Sequence, residues 1–205
     1  MTLVIPLLDD FNRADGALGS NWALRGGNTA QPIITSNACT TNGAVGSGAF
    51  WVTQLPEDVL VSVDLVHVTA VSGQFMKIDI GQTNPASGVS RGGYSVRLVQ
   101  GSPPTILIQD SASVTLATGN IPVALATGGT LIARTINGDI VGYYDDHSGA
   151  NSYEVVRFTA SYVSGYAGLL LTFGSGDPFS IDNFSAGAIS PYRGGLGFKM
   201  PVKVK

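Results

Sequence analysis

TLIARTINGDIVGYYDD, residues 130–146, decides the fold class. The runs Thr130 to Ile136 and Asp139 to Tyr144 are rich in β-branched and aromatic residues, and Asn137-Gly138 separates them. An Asn-Gly pair accepts the positive φ angles of a type I′ turn, whose twist matches that of the strands it joins. The stretch therefore predicts a tight antiparallel hairpin. Upstream, Val59, Val61, Val63, Leu65 and His67 alternate with Leu60, Ser62, Asp64, Val66 and Val68. Period-two alternation predicts a strand with one core face and one partly wet face.

Working outward, strand-like runs recur along the chain, bounded by turn residues. They are Leu3 to Leu8, Trp22 to Leu24, Ile33 to Ser36, Ala49 to Thr53, Phe75 to Ile80, Gly93 to Val99, Thr105 to Gln109, Ser113 to Ala117, Val155 to Ser161, Tyr166 to Phe173 and Phe179 to Ala186. No segment reads as a helix, and no 20 to 50 residue repeat of the propeller or solenoid kind is present. Many short strands at this spacing predict an all-β, two-sheet antiparallel sandwich of jelly-roll type, not a βαβ fold. With 205 residues and a mean hydropathy of +0.24, the chain can bury a sizeable core.

Charge divides the chain. Residues 1–187 carry seven Lys or Arg against all fourteen acids, whereas 188–205 carry Arg193, Lys199, Lys203, Lys205 and no acid. We accordingly expect a sandwich domain over 1–187 and a basic, hydrophobic C-terminal arm over 188–205, in which Tyr192, Arg193, Leu196, Phe198, Lys199, Met200 and Lys203 would meet a partner. An acidic body argues against nucleic-acid binding. No apolar run is long enough to span a bilayer, and MTLVIPLLDD lacks a basic n-region and a small-residue cleavage site. The lone Cys39 excludes an internal disulfide and a thiolate cluster.

Two further stretches carry a resemblance. DDFNRADGALGSNW, Asp9 to Trp22, resembles the opening of concanavalin A-like, laminin G-like jelly-roll domains, which recur in bacteriophage tail and other virion proteins and in bacterial carbohydrate-associated modules. Ile181-Asp182-Asn183-Phe184 stands where such domains place a closing strand, and 130–146 looks like their central hairpin. The resemblance implies that the first and last strands pair, bringing Asp9, Asp10 and Phe11 beside Asp182, Asn183 and Phe184 with both rings in the core; such closure would also remove exposed edges.

The function expected on this basis is that of a non-enzymatic virion structural protein, of the tail or the capsid exterior, that displays the sandwich and attaches through the arm. Its partners would be other virion proteins and further copies of itself, and its location the virion. The alternative is a carbohydrate-binding adhesin or lectin module recognising a host-surface glycan, and a glycoside hydrolase is the remote third. A hydrolase needs two carboxylates about 5 to 9.5 Å apart. Glu57 and Glu154 are the only glutamates, and neither has an acid at i+2 or i+4. His67 sits in an alternating strand and His147 in the turn from Asp145 to Gly149, and the Gly-rich stretches open no helix that could cradle phosphate. No catalytic residue is assigned. The loop from Tyr144 to Tyr153 is the best candidate for ligand binding, through Tyr144, Asp145, Asp146, His147, Asn151 and Tyr153. No cofactor is required; if the termini meet, Asp9, Asp10, Asp15, Asp182 and Asn183 would offer the oxygens that calcium prefers.

Overall fold

The computed structural model describes residues 5–43, 46–88, 91–147, 152–161, 164–172 and 177–189. Sixteen strands run through them: β1 (Leu7–Asp9), β2 (Gly16–Ala17), β3 (Trp22–Leu24), β4 (Ile33–Thr35), β5 (Ala38–Thr40), β6 (Gly46–Trp51), β7 (Val59–His67), β8 (Phe75–Gln82), β9 (Tyr94–Val99), β10 (Thr105–Asp110), β11 (Thr115–Asn120), β12 (Thr130–Ile136), β13 (Asp139–Asp145), β14 (Ser152–Thr159), β15 (Tyr166–Thr172) and β16 (Ser180–Ala188). They form two antiparallel sheets. One has the order β14-β13-β12-β7-β16-β5-β4-β2, with β1 also paired to β16; the other has the order β11-β10-β9-β8-β15-β6-β3. The chain passes repeatedly between the layers, so strands adjacent in sequence often lie in opposite sheets. This is the two-sheet jelly-roll sandwich that the alternation predicted.

The hairpin forms as its turn chemistry dictates. Asn137 and Gly138 have φ of 51° and 84°, and β12 pairs β13 in register from Ile136↔Asp139 to Thr130↔Asp145. On β7, Val59, Val61, Val63 and Leu65 face the inter-sheet core. Leu60 on the other face is also buried, in a small cluster with Ile5, Ile132 and Ile189. His67, grouped above with the core face, is 50% exposed in its side chain, because β7 is by then leaving the sandwich. Ile189 donates its N–H to Asp58 O and is buried, so the fold extends two residues into the segment assigned to the arm. Tyr192, Arg193, Leu196, Phe198, Lys199, Met200 and Lys203 lie outside the described residues.

The terminal strands pair, with Leu7 opposite Ser185 and Asp9 opposite Phe184. Phe11 and Phe184 are both fully buried. Trp22 joins them: its ring lies 4.8 Å from Phe184, 6.0 Å from Phe11 and, edge-on, 5.4 Å from Trp51. The pairing does not close an edge, as was expected of it. Strand β16 is an interior strand held by β7 on one side and by β1 and β5 on the other, and the ends of the two strand orders are β14, β2, β11 and β3. Strand β5 had no sequence counterpart, since Ala38–Thr40 is too short and too mixed to read as a strand; its signal is the turn at Ser36-Asn37, where φ is 54° and 59°.

Asp9 holds this closure together. Its carboxylate accepts hydrogen bonds from Phe11 N at 2.9 Å, Arg13 Nη1 and Nη2 at 2.6 and 3.0 Å, and Trp22 Nε1 at 2.7 Å. Burial alone would raise its pKa, but the bonds from Arg13, Trp22 and the Phe11 amide outweigh burial and hold it below the usual carboxylate range. Asp9→Ala should cost about 2–4 kcal/mol in urea unfolding, because it strands a buried indole N–H and a guanidinium. A depressed carboxylate pKa stabilises above the unfolded value of about 3.9, so the wild type should lose this contribution as pH falls through the folded pKa, and the variant should not.

Candidate functional site

Two of the residues anticipated in a ligand loop serve the fold. Tyr144 is fully buried, its hydroxyl accepts the Ala126 N–H at 2.9 Å, and it packs so closely on Gly129 that a Cβ there would meet the hydroxyl at 2.3 Å. It is a core residue, not an exposed stacking ring. Tyr153 is half-buried against the core and reaches Asp146 Oδ2 at 3.3 Å. Asp145 accepts the His147 N–H at 2.8 Å, and Asn151 lies outside the described residues. His147 Nε2 meets Thr130 Oγ1 at 2.6 Å, and the same hydroxyl donates to Asp64 Oδ1 at 2.5 Å. With one proton to give, Thr130 donates to the carboxylate and accepts from the imidazole. The hydroxyl therefore sits between base and acid, which is not the order of a nucleophile relay.

The calcium set does not come together as a cation site. Asp9 is saturated by four donors. Asp15 caps the Ser36 N–H at 2.8 Å, and Asp10 takes the Asn12 N–H at 3.1 Å. Asp182 takes the Asn183 N–H at 2.8 Å, while Asn183 Nδ2 donates to Asp64 at 3.0 Å. Asp182 lies directly across from Asp64, and burial first, then Asp64, Asp10 and Asp9, push its carboxyl above the usual range. Among the described residues, no three His, Cys, Asp or Glu side chains gather to hold a metal. Cys39 is fully buried, which pushes its thiol up and leaves it unreactive.

A candidate site without a counterpart in the sequence reading lies on the outer face of the seven-stranded sheet. On β8, Met76, Ile78 and Ile80 face the core, so Phe75, Lys77 and Asp79 face outward. Cross-strand register sets Lys77 beside Arg97 and Leu107 in one row, and Asp79 beside Ser95 and Gln109 in the next. Strand β15 contributes Leu170 and Gly168 to these rows, and β6 contributes Gly48 and Phe50. Arg25 crosses from the end of β3 to Asp79, which it binds through Nε and Nη2. It can do so because β6 has glycine beneath it: a Cβ on Gly48 would meet Arg25 Cδ at 2.8 Å and Asn28 Oδ1 at 2.5 Å.

Loops wall one end of this face. Gly26 N–H bonds Pro85 O at 2.8 Å, and a Cβ on Gly26 would strike Ser87 O at 2.1 Å. Arg91 fastens the wall, donating to Gly26 O at 2.9 Å and to Ser111 O at 3.3 Å. Aromatic rings stand at two places. Phe50 and Tyr166 form an edge-on pair 5.7 Å apart, and Phe75 carries the Arg97 guanidinium 3.6 Å above its ring. The strand spacing and rise separate Phe75 from the Phe50–Tyr166 pair by about 16 Å. The sequence signal was present in K-x-D within FMKIDIG and in the Arg of SVRLV, charges set into apolar strands.

Lys77 is 5% exposed. Burial lowers its pKa; Asp79 pulls it back up, while Arg25, Arg97 and Arg91 push it further down, and it settles at about 8. The folded state thus releases this proton about two pH units before the unfolded chain, whose lysines titrate near 10.4. Stability should therefore rise as pH increases from about 8 toward 10.4, where the unfolded chain binds more protons, and Lys77→Met should remove that rise in denaturant titrations.

No family model matches this sequence, and no curated protein matches it. Solved structures share the fold. The carbohydrate binding module CBM66 from Bacillus subtilis superposes with a TM-score of 0.59 at 13% identity, over 82% of this chain and 96% of that one. A legume lectin-like domain from Entamoeba histolytica gives 0.61 at 14%, over 83% and 91%. The VIP36 exoplasmic/lumenal domain in its Ca2+/Man2-bound form gives 0.64 at 14%, over 92% and 89%. Identities this low make the likeness one of architecture: the chain has the lectin-like jelly-roll sandwich.

Proposed function

We propose that the protein is a non-enzymatic carbohydrate-binding module whose ligand lies on the outer face of the seven-stranded sheet, between Phe75 and the Phe50–Tyr166 pair. The observation that carries this reading is the composition of that face. The half-exposed Arg97 guanidinium lies with Phe75 on one side of this face and the half-exposed Phe50–Tyr166 pair stands on the other, above buried polar groups of Asp79, Ser95 and Gln109, a combination of donor fork and rings suited to sugar hydroxyls and sugar faces. The likeness to CBM66 and to lectin-like domains supports it, because modules of this architecture include carbohydrate binders by name. The non-enzymatic part rests on the interrupted Thr130 relay and on the engagement of Asp64, both of whose carboxylate oxygens already accept hydrogen bonds.

A glycan array tests the reading. Wild type should bind, and Phe50→Ala with Tyr166→Ala should lose about tenfold or more, as the loss of about 1.4 kcal/mol or more of ring contact requires. Tyr153→Ala, on the opposite sheet, should bind as wild type. Binding that follows Tyr153 and ignores Phe50 and Tyr166 would place the ligand on the other sheet.

Display on a virion is the second reading. It is favoured by the chain's charge division, since all four cations of the terminal segment come after Ile189, whose N–H is bonded to Asp58 O. The resembling motif does not add to it, because Asp9, Phe11, Arg13 and Trp22 are engaged in holding the fold. Deleting 192–205 spares Ile189 and should leave melting unchanged while abolishing incorporation into particles; unaltered incorporation removes this reading.

A further inference from the structure

The outer face of the seven-stranded sheet carries a charge pattern that the fold does not need. Lys77 and Arg97 stand directly opposite each other on β8 and β9, and like charges so placed destabilise a sheet. Arg91 and Arg25 add two more cations to the neighbourhood that Lys77 senses. The acid on this face is Asp79, and Arg25 takes both of its carboxylate oxygens. Among the described residues, Arg91 bonds neutral carbonyls, and its Nε is buried without a hydrogen-bond partner there. Arg97 makes no ion pair among the described residues, and its Nε is likewise buried and unpartnered. Among the described residues, the hydrogen-bonding contact of Lys77 Nζ is to Ser113 Oγ at 3.5 Å. In a body with twice as many acids as bases, Lys77, Arg91 and Arg97 have gathered beside a carboxylate, Asp79, that Arg25 already holds, and none of the three makes an ion pair among the described residues.

Uncompensated buried charge is costly, and replacing it with an apolar side chain is often stabilising. Stability given up at such a group is commonly the cost of function. Arg97 is also pre-positioned: Phe75 beneath its guanidinium fixes the plane of the donor fork, whose edge can take two oxygens of a planar or tetrahedral anion. We propose that Lys77 and Arg97, supported by Arg91, bind an oxyanion, a carboxylate or sulfate ester carried by an acidic glycan. This rests on the carbohydrate reading above and narrows its ligand class.

Calorimetry on the full chain, with matched acidic and neutral probes, tests it. The carboxylate probe is tetragalacturonate against its methyl ester; the sulfate probe is a dextran sulfate oligomer against the unsulfated dextran. Wild type should prefer at least one acidic probe by about tenfold or more over its neutral partner, with an affinity that weakens as salt is raised. Lys77→Met and Arg97→Gln should collapse that preference and Lys77→Arg should retain it, while the melting temperature of Lys77→Met stays level or rises by about 2–4 °C. Equal binding of acidic and neutral probes, or a preference that survives in Lys77→Met, overturns the oxyanion site and leaves the carbohydrate reading standing. Binding of no glycan on the array or in the calorimeter removes both. A fall in melting temperature for Lys77→Met with the acidic preference intact assigns the cluster to the fold.

Discussion

Everything in the sandwich hangs on the Asp9 carboxylate. It belongs to the first strand of one sheet, and it binds the indole of Trp22 in the other sheet while clamping Arg13 and the Phe11 amide beside it. That single group fixes where the chain enters the sandwich. Phe11 is thereby held in a left-handed conformation, φ 48°, that a bulky residue otherwise avoids, and its ring is driven into the core beside Trp22. Trp22 in turn packs on Phe184 of the last strand, so the two ends of the fold share one aromatic cluster across the layers. The conspicuous charges of the opening motif are structural.

With the ends secured, the two sheets divide their duties. The larger one buries its central strands on both sides, with Leu60, Ile132, Ile5 and Ile189 covering its far face. The smaller one keeps a polar outer face built from alternate residues of β8, β9 and β10, and glycines at 26 and 48 let Arg25 and the neighbouring loops lie close against it. Its core side carries the stability, which frees the outer side to hold an arrangement of charge that stability alone would not select.

Local signals were legible and distant ones were not. The Asn137-Gly138 turn and the alternation of β7 could each be read from short stretches whose chemistry has few other solutions, whereas the meeting of the terminal segments came from the resemblance carried by Asp9 to Trp22 and Ile181 to Phe184. Strand β5 was missed because three residues without a β-branched run take their identity from Ile181 and Ile34 beside them. Tyr144 looked like a ligand ring because nothing in YDDHSGANSY shows that its hydroxyl meets Ala126. The cationic face escaped for the same reason on a larger scale: Arg25, Lys77, Arg91 and Arg97 span more than seventy positions, and only sheet register brings them together.

The central claim is that the ligand surface is the outer face of the seven-stranded sheet. Backbone amide shifts of the isotopically labelled protein, followed while tetragalacturonate is added, address it directly. The moving signals should belong to Lys77, Asp79, Ser95, Arg97 and Gln109 and the loop that carries Arg91. Shifts confined to β12, β13, β14 and the loop after Tyr144 would contradict it.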